Sequence, residues 1–205
     1  PEQQPAFLSI TAAPFLAAVG MNEAGLAQGV NSVSATDCRV GVPRMFAARA
    51  VLEAATLEEA INKATPKNRA GGYNHLLVQA GGRLGNLETT ATEADYLPGA
   101  NMIYHTNHYL SPRLQNLAVR GSDHSLARYR RLTELERINE RVEKLEILFS
   151  YLSDHDNRPL SICKHASEQK GNEGTIFSAI FEPGSFRAWV TAGNPCGKVY
   201  REIKI

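Results

Sequence analysis

"GMNEAGLAQGVNS", residues 20–32, decides how the chain reads. Asn22 and Gly25 mark a tight turn between two runs of strand character, and the second run, from Leu26 to about Ser34, carries Asn31 among apolar neighbours. Upstream, Phe7 to Ala12 and Phe15 to Val19 read as two short strands, so the chain opens as a meander. A primary amide inside a strand is either satisfied by the sheet interior or placed there for chemistry.

Working outward, Pro43 stands where a helix can begin, and Met45, Ala48, Leu52 and Ala55 follow at helical spacing. Thr56 with Glu59 forms a capping-box pattern, and Leu57, Ala60, Ile61 and Ala64 give the apolar stripe of a second helix, ended by Pro66. Asn74 to Gln79 and Leu84 to Thr89, joined by "AGGR", read as a hairpin, and Met102 to Tyr109 as a further strand. Ser122 to about Asp154 is helical with a break near Asn139. Its charges (Arg128, Arg130, Arg131, Glu134, Glu136, Arg137, Glu140, Arg141 and Glu143) alternate in sign and read as a solvated, ion-paired face. Strands return at Leu160 to Lys164, Thr175 to Glu182, Phe186 to Thr191 and Lys198 to Ile203, separated by "KGNEG", "PGS" and "GNPCG" turns. "TIFSAIFE" carries bulk on both faces, which calls for a sheet covered on each side. Strands bracketing helices imply an α+β class, with helices layered on stacked sheets.

Composition fits an ordinary globular chain: 205 residues, 43% apolar, 21% charged, net charge +1. Nothing in that balance points to nucleic acid, and no apolar run is long enough to span a bilayer. "PEQQP" has neither the basic start nor the apolar centre of a secretory signal, so the expectation is a cytoplasmic protein, or a processed or trimmed chain. Cys38, Cys163 and Cys196 are widely spaced without a CxxC, which predicts reduced structural thiols and neither a metal site nor a disulfide framework.

"YHTNHYL", Tyr104 to Leu110, is the densest group of catalytically capable side chains. As a strand it would send His105 and Asn107 one way and Thr106 and His108 the other, which disfavours a shared metal. Its polar groups either satisfy one another in the interior or serve a reaction. Asn31 and Asn107 converging on one point would make an oxyanion hole, since a neutral amide donates N–H without a competing charge. No GxSxG and no phosphate-binding glycine loop is present. Cys163 and His165 could form a thiol and base, and "SDHDN", Ser153 to Asn157, reads as a helix-terminating turn more readily than as a cation loop.

"GMNEAGLAQGVNS", "GVPRMFAARAVLEAATLEEA", "AGGYNHLLVQAGG", "YHTNHYL", "SDHDNRPLSICKH" and "EGTIFSAIFEP" occur in the order and spacing of acyl-coenzyme A:6-aminopenicillanic acid acyltransferase-like proteins, over almost the whole chain. The first also resembles a stretch of choloylglycine hydrolases and penicillin V acylases. The resemblance implies a four-layer αββα sandwich of the N-terminal-nucleophile hydrolase class, here incomplete, forming one domain over 1–205. It further implies an acyltransferase or amidohydrolase that frees a cysteine by self-cleavage, whose thiolate attacks an amide or thioester with its own α-amino group as base. On this resemblance Asn107 matches an oxyanion-hole asparagine, Asn31 matches a second asparagine near the nucleophile, and Tyr104 and His105 line the substrate. No cofactor is implied; acyl-coenzyme A enters as a candidate substrate among small amides, thioesters and acyl-amines.

Three departures stand beside the matches. Pro1 is a secondary amine with no thiol, the nucleophilic cysteine and its orienting aspartate belong before the first residue here, and "GNEG" replaces a segment where some members carry an arginine. The chain alone is therefore expected to lack the acyl-enzyme step. It is expected to associate with the missing N-terminal segment or with a second copy that covers exposed sheet. The alternatives are a non-catalytic remnant that binds acyl or amino-acid-like ligands, and a different cysteine enzyme built on Cys163.

Overall fold

Hairpin turns and period-two alternation generate most of what forms. In a computed structural model describing residues 4–139, 142, 144–168 and 173–204, the chain packs as two compact units. The first is Pro1–Gly121 with Phe181–Phe186, and the second Ser122–Ile180 with Arg187–Ile205.

The first unit holds a six-stranded antiparallel sheet of β1 (Phe7–Ile10), β2 (Val19–Asn22), β3 (Leu26–Ser32), β4 (Tyr73–Gln79), β5 (Arg83–Thr89) and β6 (Ala94–Pro98), in that spatial order. Tight turns make sequence neighbours into sheet neighbours. Gly25 adopts φ 80° and donates its N–H to the Asn22 carbonyl at 3.0 Å, while Gly81 and Gly82, at φ 93° and 95°, close β4 onto β5. Asn22 also ties this hairpin to the helix layer. Its Nδ2 donates to the carbonyls of Leu52 (3.0 Å) and Ala54 (2.7 Å), and its Oδ1 accepts from Leu26 N.

Two helices, α1 (Arg44–Val51) and α2 (Leu57–Ala64), cover one face of the sheet. As the capping-box pattern predicts, Thr56 Oγ1 accepts from Glu59 N at 3.2 Å, and Glu59 Oε2 accepts from Ala55 N at 2.9 Å. Such a cap contributes about 1 kcal/mol. Leu26, Leu77 and Leu87 pack against Val51, Ala54, Leu57, Ala60 and Ala64, each buried leucine contributing roughly 1.5–3 kcal/mol. His75 is enclosed on this same face, and burial lowers its pKa to about 4. Its Nδ1 lies 2.8 Å from Gln28 Oε1, and Gln28 Nε2 donates to the carbonyls of Ala18 and Ala48.

Three expected strands take other forms. Phe15 and Leu16 are exposed at a turn, where Phe15 N donates to Ala12 O and Thr11 Oγ1 to Phe15 O, so β2 starts only at Val19. Met102 to Tyr109 is irregular, and the sheet edge is held instead by β6, a short strand ending in Pro98 that alternation did not reveal. Leu160 to Lys164 is a turn, with Leu160 N bonded to Asn157 O and Asn157 at φ 66°.

The second unit contains α3 (Asp123–Ile138), α4 (Leu145–Leu152) and, apart from Phe181 and Glu182, a sheet in the order β7 (Phe177–Glu182), β8 (Arg187–Ala192), β9 (Arg201–Lys204). Ser122 Oγ caps α3 by accepting from Ser125 N, and α3 ends at Asn139 as expected. Arg131 shows the ion-paired face, meeting Glu134, Asp154 and Asp156. Glu140, Arg141, Glu143 and most of the "KGNEG" turn lie outside the described residues. Among the described residues no helix is long and apolar enough to cross a membrane.

Candidate active site

Alternation along β3, β4 and β5 sends Leu26, Leu77 and Leu87 to the helices and Asn31, Asn74, Asn86 and Glu88, with Leu76 and Leu84, to the opposite face. Asn31 and Asn74 are directly opposed across the β3–β4 ladder, as are Asn74 and Glu88 across β4–β5. Asn74 Nδ2 has two protons and donates both, to Asn31 Oδ1 and to Asn86 Oδ1, each at 3.0 Å. Both neighbours are thereby fixed with oxygen towards Asn74 and NH2 directed away. Asn86 uses its NH2 on the Tyr104 carbonyl at 3.4 Å. The NH2 of Asn31 meets no hydrogen-bond acceptor among the described residues, and Asn74 Oδ1 is buried without a partner.

Glu88 organises the segment that carries Asn107. Its Oε1 accepts from His105 Nε2 at 2.7 Å and from Leu110 N at 2.6 Å, and its Oε2 accepts from Ser111 N at 2.8 Å. The side chains of Glu88 and His105 are both fully enclosed. His105 Nδ1 faces the Thr106 carbonyl at 2.8 Å, so both ring nitrogens are engaged within the protein. The Glu88 carboxylate thus pins the irregular segment at two places, the His105 ring within it and the N–H groups of Leu110 and Ser111 just after it. The rings of His105 and His108 stack with centroids 6.4 Å apart, correcting the opposed-face arrangement a strand would give. Tyr109 donates its hydroxyl to Thr89 O at 2.9 Å, and burial, aided by the charge of Glu88, raises its pKa so that it stays protonated.

Asn107 is thereby delivered to the end of β3, where its Nδ2 donates to the carbonyl of Ser32, the residue after Asn31, at 3.0 Å. Both predicted amides thus sit at one strand end. Arg44 braces that end, donating to Ser32 Oγ, Val33 O and Gly72 O with its guanidinium 4.2 Å from the centre of the Tyr73 ring. Tyr104 is half-buried and enters through its backbone carbonyl. His105 has both nitrogens committed within the protein, so the role the geometry supports for it is holding the segment. Glu88, Asn74 and Asn86 were not singled out from sequence; the available signal was that strand register places all three on the face of Asn31.

The remaining candidates lie in the second unit. Cys163 Sγ is 3.8 Å from His165 Nε2, but Cys163 has no exposed surface. "SDHDN" is the turn after α4, with Asp154 held by Arg131.

Mixed α/β architecture with antiparallel sheets of this kind occurs in penicillin V acylase from Agrobacterium tumefaciens, which matches at a TM-score of 0.58 with 16% identity over 92% of this chain and 72% of that one. A variant of conjugated bile acid hydrolase from Clostridium perfringens matches at 0.53 with 12% identity, over 96% and 80%. The fold is that of the N-terminal-nucleophile hydrolases. Residues 2–196 match the acyl-coenzyme A:6-aminopenicillanic acid acyl-transferase family, and the chain belongs to it. The 40 kDa form of acyl-coenzyme A:6-aminopenicillanic-acid-acyltransferase from Emericella nidulans is 29% identical over 198 residues, covering 93% of this chain and 54% of that protein. The chain spans about half the length of that curated relative.

Proposed function

We propose that this chain supplies the oxyanion-stabilising half of an acyltransferase or amidohydrolase whose nucleophile, a cysteine, comes from outside these 205 residues. The observation that carries the reading is the orientation of Asn31: Asn74 holds its oxygen, which turns the NH2 outward at the strand end that Asn107 also reaches. In this scheme the thiolate adds to the carbonyl carbon of an amide or thioester, and the carbonyl π electrons move onto oxygen. The amide N–H groups of Asn31 and Asn107 donate to that oxyanion. Collapse of the intermediate breaks the bond to the amine or thiol leaving group, which departs with a proton returned by the cysteine's α-amino group. An amine or water then takes the acyl group from the thioester. Family membership supports penicillin-like amides and acyl-coenzyme A thioesters as the substrates to try first.

The test uses the natural full-length gene product. Asn107→Ala and Asn31→Ala should each lower kcat by about 10²–10³-fold, with little change in KM. Variants that keep parental kcat would refute the proposal. A parent stabilised against heat by such ligands without turning them over would instead establish the non-catalytic binding reading.

A further inference from the structure

Four side chains from three separate segments of the second unit meet at one point. They are His155, after α4; Cys163 and His165, in the turn that replaces an expected strand; and Cys196, after β8. Their donor atoms all lie within 4.8 Å of one another. His165 Nε2 is 3.0 Å from His155 Nε2, 3.4 Å from Cys196 Sγ and 3.8 Å from Cys163 Sγ. A single ring nitrogen has one proton or one lone pair, so it cannot hydrogen-bond to all three. A cation at the centre takes all four lone pairs at once.

We propose that His155, Cys163, His165 and Cys196 form a tetrahedral Cys2His2 site for zinc. Bond lengths of about 2.3 Å to sulfur and about 2.05 Å to nitrogen give tetrahedron edges of about 3.3 Å for N···N and about 3.6 Å for N···S. The observed 3.0, 3.4 and 3.8 Å bracket those edges. Two thiolates with two imidazoles select zinc over calcium or magnesium, which take oxygen ligands. Thiolate ligation releases two protons and leaves the site neutral.

The surroundings are built for this. Asn194 Nδ2 donates to Cys163 Sγ at 3.4 Å and to Lys164 O at 2.7 Å, an N–H···S contact that steadies a ligating sulfur. Cys163 N donates to Asp154 O, which locks the sulfur's backbone beside the neighbour of His155. Cys163 and Cys196 are free thiols, and the enclosure of Cys163 suits a ligand better than a nucleophile. The second unit also has little apolar core: its buried apolar side chains among the described residues are Leu135, Tyr151, Cys163, Ala188 and Pro195. A metal joining three turns supplies the cross-link such a core lacks.

The experiment measures metal in the full-length gene product, purified under reducing conditions without an affinity tag that binds metal. The expected result is one zinc per polypeptide by elemental analysis. Exchange with cobalt should give intense visible bands and near-ultraviolet thiolate charge transfer. Cys196→Ser, at an exposed position that leaves packing intact, should weaken zinc at least about tenfold and remove the charge-transfer intensity of one thiolate, while Cys38→Ser changes neither. Protein that takes up neither zinc nor cobalt when titrated refutes the site, as does a zinc affinity in Cys196→Ser equal to the parent's in competition with a chelator. A Cys163–Cys196 disulfide in the purified protein would refute it too. These readouts do not depend on acyl transfer.

Discussion

Replacing Glu88 by glutamine tests how the Asn107 segment is held, because the change keeps shape and removes only charge and one acceptor. In the parent, three donors converge on the carboxylate: His105 Nε2 at 2.7 Å, Leu110 N at 2.6 Å and Ser111 N at 2.8 Å. Glutamine has one oxygen. In either orientation its NH2 meets a backbone N–H, of Leu110 or of Ser111, and the enclosed contact with the His105 ring loses its carboxylate partner. An unsatisfied buried donor costs about 1–3 kcal/mol, and breaking one partner from a buried pair about 3–5 kcal/mol, so Glu88→Gln should destabilise by at least about 3 kcal/mol. Denaturant unfolding of the full-length protein reads the total. Amide exchange at Leu110 and Ser111 reads the location, and both amides should lose protection. Adding His105→Phe to Glu88→Gln should cost less than the sum of the single changes by at least about 1 kcal/mol, because the pair fails together. A loss below about 1 kcal/mol, unchanged exchange at the two amides, or additive effects would refute the argument.

Two further outcomes follow from the first unit. The His75 pKa is lowered by burial from 6.5 to about 4, so the unfolded chain binds a proton between those values that the folded chain refuses. That stability is complete above about pH 6.5 and falls by roughly 3 kcal/mol as pH drops to about 4; unfolding midpoints against pH should flatten in His75→Gln, and parallel profiles would refute the assignment. A Cβ on Gly72 would lie 1.7 Å from the Thr89 carbonyl oxygen, a backbone atom that cannot move cheaply. Gly72→Ala should therefore cost about 3 kcal/mol or more, read by thermal unfolding, and a near-neutral variant would mean the strands separate easily.

What the sequence made legible was local. The Asn22–Gly25 turn, the Thr56–Glu59 cap and the β4–β5 hairpin depend on neighbours within a few positions, and each forms as read. Asn31 and Asn107 stood out as strand amides and the resemblance matched them to roles, but their common placement at the end of β3 needed the β3–β4 pairing and the Glu88 anchor, neither of which is local. Met102 to Tyr109 read as a strand because its apolar residues suit one, yet it runs irregularly, held by Glu88 of β5 through the His105 ring and, just past its end, through the N–H groups of Leu110 and Ser111. The four donors around His165 escaped for the same reason. They are brought together by turns, and no CxxC spacing announces them.

The two faces of β3 and β4 show how a structural polar residue differs from one poised for chemistry. On the helix side the Gln28 amide is consumed: its NH2 donates to Ala18 O and Ala48 O, and its oxygen faces His75. On the other side the same amide chemistry in Asn31 and Asn74 leaves an outward NH2 and a buried, unpartnered oxygen. Buried polar atoms are nearly always satisfied, because an orphan costs about 1–3 kcal/mol. Only one other buried side-chain atom among the described residues shares that state, Nε2 of His124 in the second unit. A sheet that closes the hydrogen bonds of one face and leaves those of the other open is stabilised on the first and ready for a partner on the second. The open face is the one whose strand end Asn107 reaches.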